Sequence, residues 1–326
     1  MTKGELGMTA NVENMAYVRD VPWHGIGMKV EGLMTSEQAL AAVPELASDV
    51  VREPLFLSDG IEVPGMFANV RSADRRIVGT VGAAFRIVQN RDAFAWGDAL
   101  VDSGEGKWET VGSLMGGSRV FASMELPEGV RVPGDEGEIK PWLLISNGFD
   151  GRTMLRGDVV LIRTVCTNTW TLATKGATRS FKIRHTGSIE GKLAMAREAL
   201  GISFTYLANF EKQAERLVGL KLVDRQIEDI LRAAFPVPEA QDTPERIDQS
   251  DFAKVLNVYR TAPNLDPIRG TGWGVLQAGG EYLDHETEYH GRRFDAASVK
   301  ADSILYGGVA AAKKQDLFDR LLAKAK

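Results

Sequence analysis

Cysteine is all but missing from this chain: Cys166 stands alone among 326 residues. One thiol cannot form an internal disulfide, and its isolation fits a reducing compartment. Long apolar runs are missing as well. The longest weakly polar stretch, 304–312, falls far short of the roughly 20 residues that cross a bilayer. MTKGELGMTANVEN at the start has no apolar centre of the kind a secretory signal carries. Phosphate-cradling loops are absent: the lysines of GEGKWE and IEGKLA lack the GxxxxG that makes a P-loop. Strong charge of either sign is absent too, with 39 Lys and Arg against 44 Asp and Glu, a net −5. That balance argues against wholesale coating of nucleic acid and leaves room for a local basic face. A soluble protein of the cytoplasm, with no membrane partner, is expected.

What is present divides the chain in three. Residues 1–60 read as an irregular segment with one helical candidate at 36–43, whose serine can cap its first turn. Residues 61–220 read as an α+β core. MFANVR and IVGTVGAAFRIVQN, joined by SADRR, predict two strands and a polar turn. Asn90 can cap a short helix over 91–101. ETVGSLMGGSRVFASMEL then predicts a hairpin turning at Gly116-Gly117, and Asp150-Gly151 marks another tight turn. From 188 to 218 apolar residues recur in steps of three and four, including Leu193, Leu200, Leu207, Phe210, Ala214 and Leu217. That stripe predicts one long helix, buried in the core or paired with a second copy. PVPEAQDTPE, 236–245, reads as a linker, and helical stretches near 247–260, 272–286 and 310–325 make 221–326 a helical C-terminal region. The fold class expected is α+β, antiparallel hairpins or a meander followed by a long helix.

Three constellations invite a chemical reading. Cys166 and His185 lie nineteen apart, but Cys166 shares a strand face with Val160 and Ile162, where a thiol is ordinarily inert. The Trp23-His24 pair in PWHGIG reads as a turn or as part of a site. HETEYH, 285–290, resembles a zinc motif, yet histidines five apart do not share a helix face, so no metal is expected. GTGWG, 270–274, holds half of a dinucleotide fingerprint without the strand that should precede it.

The positive charge is the stronger signal. LIRTVCTNTWTLATKGATRSFKIRH, 161–185, carries five cations and no acid. From 151 to 184 the cations are Arg152, Arg156, Arg163, Lys175, Arg179, Lys182 and Arg184 against Asp158 alone, a net +6. A second cluster, Arg71, Arg75, Arg76, Arg86 and Arg91 against Asp74, is +4. In TRSFKIRH strand alternation puts Lys182 and Arg184 on one face, opposite Phe181 and Ile183. A sheet with cations on one face and aromatics nearby suits single-stranded nucleic acid. The competing reading is a strand edge protected by charge.

PWHGIG, VGAAFRIVQN with AFAWGDAL, WETVGSL, NGFDGR, RTVCTNTW, IRHTGS and GTGWGVLQAGGEYLDHE follow one another in an order that resembles the phage and plasmid-like proteins grouped as domain-of-unknown-function family 932. The resemblance covers about residues 14–312. It implies a mobile-element protein in a bacterial host and assigns no catalytic residue. The order helix, strands, long helix is also similar to single-strand annealing proteins of the Red beta and Erf type, a likeness of topology alone. The expected function is therefore single-stranded DNA binding and annealing, free of ATP, metal and cofactor. Arg71, Arg75, Arg76 and Arg86 would join the cations of 151–184 in binding, and the protein would form a homo-oligomer through 188–218. A phage exonuclease or a single-strand-binding protein would be a further partner. The alternatives are an enzyme using Trp23-His24 or Cys166/His185, and a structural or host-interaction oligomer.

Overall fold

Strands come first and helices after in the computed structural model, which describes residues 15–17, 28–29, 32, 34–100, 108–126, 129–165, 168–172, 180–186, 206–237, 244–290, 296–305 and 308–325. The first described elements are β1 (Met15–Tyr17), β2 (Met28–Lys29) and the short helices α1 (Ser36–Ala42) and α2 (Pro44–Ala47). β3 (Val50–Phe56), β4 (Glu62–Arg71) and β5 (Ile77–Gly82) form a three-stranded antiparallel sheet in that order. After α3 (Asn90–Leu100) come β6 (Thr110–Leu114), β7 (Arg119–Glu125), β8 (Val130–Arg131), β9 (Glu138–Gly148), β10 (Leu155–Arg163), β11 (Asn168–Trp170) and β12 (Ser180–Ile183). The larger sheet runs β11-β10-β9-β7-β6-β1-β2, with β12 also on β10 and β8 also on β9. The helical half holds α4 (206–219), α5 (Asp224–Ala234), α6 (Pro244–Ile247), α7 (Asp251–Thr261), α8 (Gly272–Glu281), α9 (Ala296–Leu305) and α10 (Val309–Lys324). The architecture is α+β. No described helix is long and apolar enough to cross a membrane.

Local chemistry explains several boundaries, not all of them as read from sequence. The cap of α1 is Thr35 rather than Ser36: Gln38 N donates to Thr35 Oγ1 at 3.2 Å, and Thr35 N donates to Gln38 Oε1 at 2.9 Å. Ser36 instead accepts from Trp108 Nε1 at 2.8 Å. Residues 1–60 are less irregular than expected, because VVREPLF forms β3. Pro54 hides that strand from pattern reading, and β3 tolerates it as an edge strand. The second expected strand stops at Gly82, so 83–89 are irregular rather than extended. The Gly116-Gly117 turn is as expected, both glycines having positive φ.

The odd-numbered face of β9 and β10 packs against two groups of helices side by side. Leu143, Ile145 and Leu155 join a core with Ala39, Leu46 and Phe94 of α1–α3. Ile139, Val159 and Leu161 join a second core with α4–α10. The described half of the long apolar stripe is spent there: Leu207, Phe210, Ala214 and Leu217 are buried inside the protein, and Phe210 meets Trp273 edge-on at 6.1 Å. That half is core, not an exposed seam for a second copy. Residues 188–205 lie outside the described residues. In GTGWG, Gly272 and Gly274 serve packing, since a Cβ at Gly274 would stand 2.4 Å from Ile268 O, while Gly270 supplies a positive φ.

Two buried charge clusters fasten sheet to helices. Arg163 donates to Asp135 through Nε at 2.9 Å and Nη2 at 2.6 Å, and Trp273 Nε1 donates to the same carboxylate at 2.7 Å. Lys314 Nζ lies 2.5 Å from Asp284 Oδ1 and from Thr169 O, and Thr169 N donates to Asp284 Oδ2 at 2.7 Å. The small sheet is held by close approach: a Cβ at Gly79 would fall 1.9 Å from Phe149 O. Gly79→Ala must push β5 off the 149–151 turn, and chemical denaturation should show a loss of about 1–3 kcal/mol. An unchanged midpoint would mean that β5 and the turn do not touch in solution.

Candidate functional site

β5 is an edge strand of the small sheet, and its last residues face the end of β12 across a notch of about 580 Å³. Thr80, Val81 and Gly82 form one wall, Arg184, His185 and Thr186 another, and the 150–154 turn the third. Phe85, half-buried, lines it too. The walls are joined by backbone pairing, because Arg86 N donates to His185 O at 2.7 Å. Asn69 Nδ2 donates to Phe149 O at 2.7 Å, and Asn147 Nδ2 to Val88 O at 2.8 Å. Both amides are buried, and they seat the small sheet and the 83–89 segment beside the 149–151 turn.

His185 is buried and stacks on Phe85, with ring centroids 4.7 Å apart and planes 18° from parallel. Its Nδ1 lies 3.0 Å from the Arg86 carbonyl oxygen. A carbonyl only accepts, so Nδ1 carries the proton and donates. Phe85 and His185 thus form a preset pair of flat rings.

The 150–154 turn is organised by Asp150. Its carboxylate accepts from Arg152 N at 2.8 Å, Thr153 N at 2.6 Å, Thr153 Oγ1 at 2.9 Å and Arg119 Nε at 3.2 Å. Gly151 supplies the positive φ that the turn requires. Burial pushes the Asp150 pKa up, but the donors together outweigh it and hold it below the ordinary 3.8. Asp150 is therefore a structural anion at neutral pH. Because its folded pKa is depressed, its stabilisation is complete above the unfolded pKa and is lost as pH falls through the folded one. Asp150→Asn should lower the denaturation midpoint most at pH 7, with the gap to the wild type narrowing by pH 3. A constant gap would show that ionisation of Asp150 does not matter.

The eleven cations expected to form one basic face separate into groups. Arg152 and Arg184 are exposed and line the notch; Arg86, whose N–H donates to His185 O, and Lys182 are exposed as well but do not line it. Lys182 and Arg184 point outward while Ile183 between them is buried. Four others make ion pairs with acids of the protein itself. Arg163 is fully buried: it shares the parity of Val159 and Leu161, which face the helical core. Arg156 forks onto Asp158 at 2.5 and 2.6 Å, and Arg71 onto Asp74 at 2.9 and 2.6 Å. Arg75 pairs with Glu53 at 2.5 and 2.8 Å. Arg76 lies over the β6–β7 turn, where a Cβ on Gly116 would meet its guanidinium at 2.5 Å. Lys175 and Arg179 lie outside the described residues, as do Trp23, His24 and Cys166. Phe85 was missed, its segment reading as part of a strand.

HETEYH falls at a second cavity. Residues 282–286 form a π-helical turn that extends α8. Val258, Asn264, Glu281, His285 and Glu286 line a hollow of about 700 Å³. Partial burial pushes the His285 pKa down, and burial together with Glu281 pushes Glu286 up. His290 is exposed, 3.7 Å from Glu288. Among the described residues no group of three His, Cys, Asp or Glu is placed to hold a metal ion.

The model of a protein family described as Domain of unknown function (DUF932) matches residues 77–315. That span includes every wall of the notch and excludes PWHGIG. No curated protein and no solved structure matches the chain.

Proposed function

We propose, from the premise that the chain belongs to the DUF932 family and from the geometry of the notch, that this protein binds single-stranded nucleic acid. The observation that carries the reading is the meeting of Arg152 and Arg184, from two separate chain segments, in a notch walled by stacked Phe85 and His185, with the exposed Arg86 and Lys182 close to its wall residues in sequence. Exposed cations attract the phosphates whatever the sequence. The Phe85–His185 pair offers a flat surface on which a base stacks, at about 1–3 kcal/mol per base. A volume near 580 Å³ is in the range of small-ligand pockets, so the notch admits one nucleotide unit while its neighbours track the cations. Contacts to phosphate and to one ring face leave the pairing edges of the other bases open. That is what strand annealing needs, and the proposal extends to annealing in a phage setting beside an exonuclease or a single-strand-binding protein.

Fluorescence anisotropy with an oligothymidylate tests it. With three or four phosphates neutralised, the log–log salt slope should be roughly −2 to −3. Replacing Lys182 and Arg184 by Ser should make it shallower by about 1.4, since each contact contributes about 0.7 on a single strand. Lys221→Ser with Lys324→Ser, on the helical half and exposed, is the charge-matched control. Absence of binding at low salt, or the same change from the control pair, would overturn the proposal.

A further inference from the structure

The small sheet gathers most of the large apolar side chains that the described protein leaves exposed. Of the nine large apolar side chains exposed among the described residues, six lie between 51 and 77: Val51, Phe56, Leu57, Ile61, Met66 and Ile77. Val51 and Ile77, both exposed, flank the buried Val70 in register across the three strands, on the face turned away from the Asn69–Phe149 contact. Phe56, Leu57 and Ile61 stand 57%, 54% and 60% exposed at the far end of the β3–β4 hairpin. The hairpin end is a formed turn rather than a loose loop: Leu57 N donates to Ile61 O at 2.8 Å, and Gly60 N donates to Leu57 O at 2.9 Å.

We infer that this face binds a second copy of the chain and makes the protein a dimer. The face carries both signs of charge, Glu53 and Arg75 forming an exposed pair, as a twofold interface requires. The area selects that occupant. Weighted by their exposure, the six side chains leave roughly 500 Å² of apolar surface. A standard interface takes about 800 Å² from each partner, of which a homodimer makes about 65% apolar, again about 500 Å².

The contact does not add a strand to β3. On the outer edge of β3 the Val50 N–H and C=O are already taken by the Gln89 side chain, at 3.0 and 2.9 Å. Two residues further along that same edge, after Arg52, Pro54 offers no N–H. This edge is closed to an added strand. The dimer inference stands apart from the nucleic-acid proposal, since none of its residues lines the notch.

Sedimentation equilibrium of the full chain tests it. At tens of micromolar the mass should be twice 35.6 kDa, and Phe56→Ser with Ile61→Ser should weaken association about a hundredfold or more. Val309→Ser, at a 70% exposed side chain outside the patch, should change nothing. Hydrogen exchange of the wild type at low and high concentration supplies a readout independent of variants, with protection expected in peptides covering 50–66. A monomer at all concentrations, a dimer indifferent to the double substitution, or protection confined to other segments would overturn the inference.

Discussion

Asp135→Asn should cost about 3–5 kcal/mol of folding stability, a large loss for an isosteric change. The carboxylate is fully buried and accepts four donors: Arg163 twice, Trp273 Nε1, and Gly137 N at 2.8 Å. Asparagine keeps the shape and one acceptor but strips the negative charge, leaving a buried guanidinium whose side chain is 1% exposed with no compensating anion. A natural domain has about 5–15 kcal/mol in all, so the variant should be close to unfolding at physiological temperature. Adding Arg163→Met should restore part of the loss, because the stranded charge disappears with the guanidinium. Denaturant titrations of the three proteins decide it. A single variant within about 1 kcal/mol of the wild type would show that the cluster is solvated. The position of this cluster, between β10 and the start of α8, also means that sheet and helices should melt together.

The second large effect concerns binding. Arg152→Glu with Arg184→Glu should weaken oligothymidylate binding about a thousandfold at low salt. Two charge-assisted contacts are removed, at about 1.5 kcal/mol each, and two anions now repel the phosphates, adding about 1 kcal/mol at a surface dielectric. The total of about 4 kcal/mol corresponds to three decades. Both residues are exposed, so the melting profile should stay near that of the wild type. Phe85→Ala should have a smaller effect of another kind, about tenfold, with an unchanged salt slope, because stacking releases no counterions. The two signatures together separate a nucleotide site from a merely basic surface.

The element order was legible because it is written in local patterns. Alternation over 119–126, the glycine pairs at the turns and the three-and-four spacing of Leu207 to Leu217 depend on near neighbours, and those elements form. β3 was not legible, because Pro54 and the charged Arg52 and Glu53 break its alternation, while pairing with β4 restores it. Charge counting does not see burial, for a related reason. It treats Arg163 like Arg184, yet the partners that bury Arg163 lie 28 and 101 residues away at Asp135 and Asn264. One clue was present: Arg163 continues the parity of Val159 and Leu161, and a cation on an apolar face implies a buried acid. Lys182 and Arg184 were legible by the same parity, opposite Ile183. The Phe85–His185 stack could not be read at all, since a hundred residues separate the rings and only the β5–β12 juxtaposition brings them together.

The most direct test is where a bound strand touches the protein. Photocross-linking of the full chain to an oligonucleotide carrying 5-iodouracil, followed by peptide mapping, reads this without any substitution. The expected result is adducts in peptides covering 80–86, 150–156 and 182–186, with Phe85 the principal site and the yield falling as salt rises. Adducts confined to the helical half, 206–325, or no adduct at low salt, would contradict a nucleic-acid site at the notch.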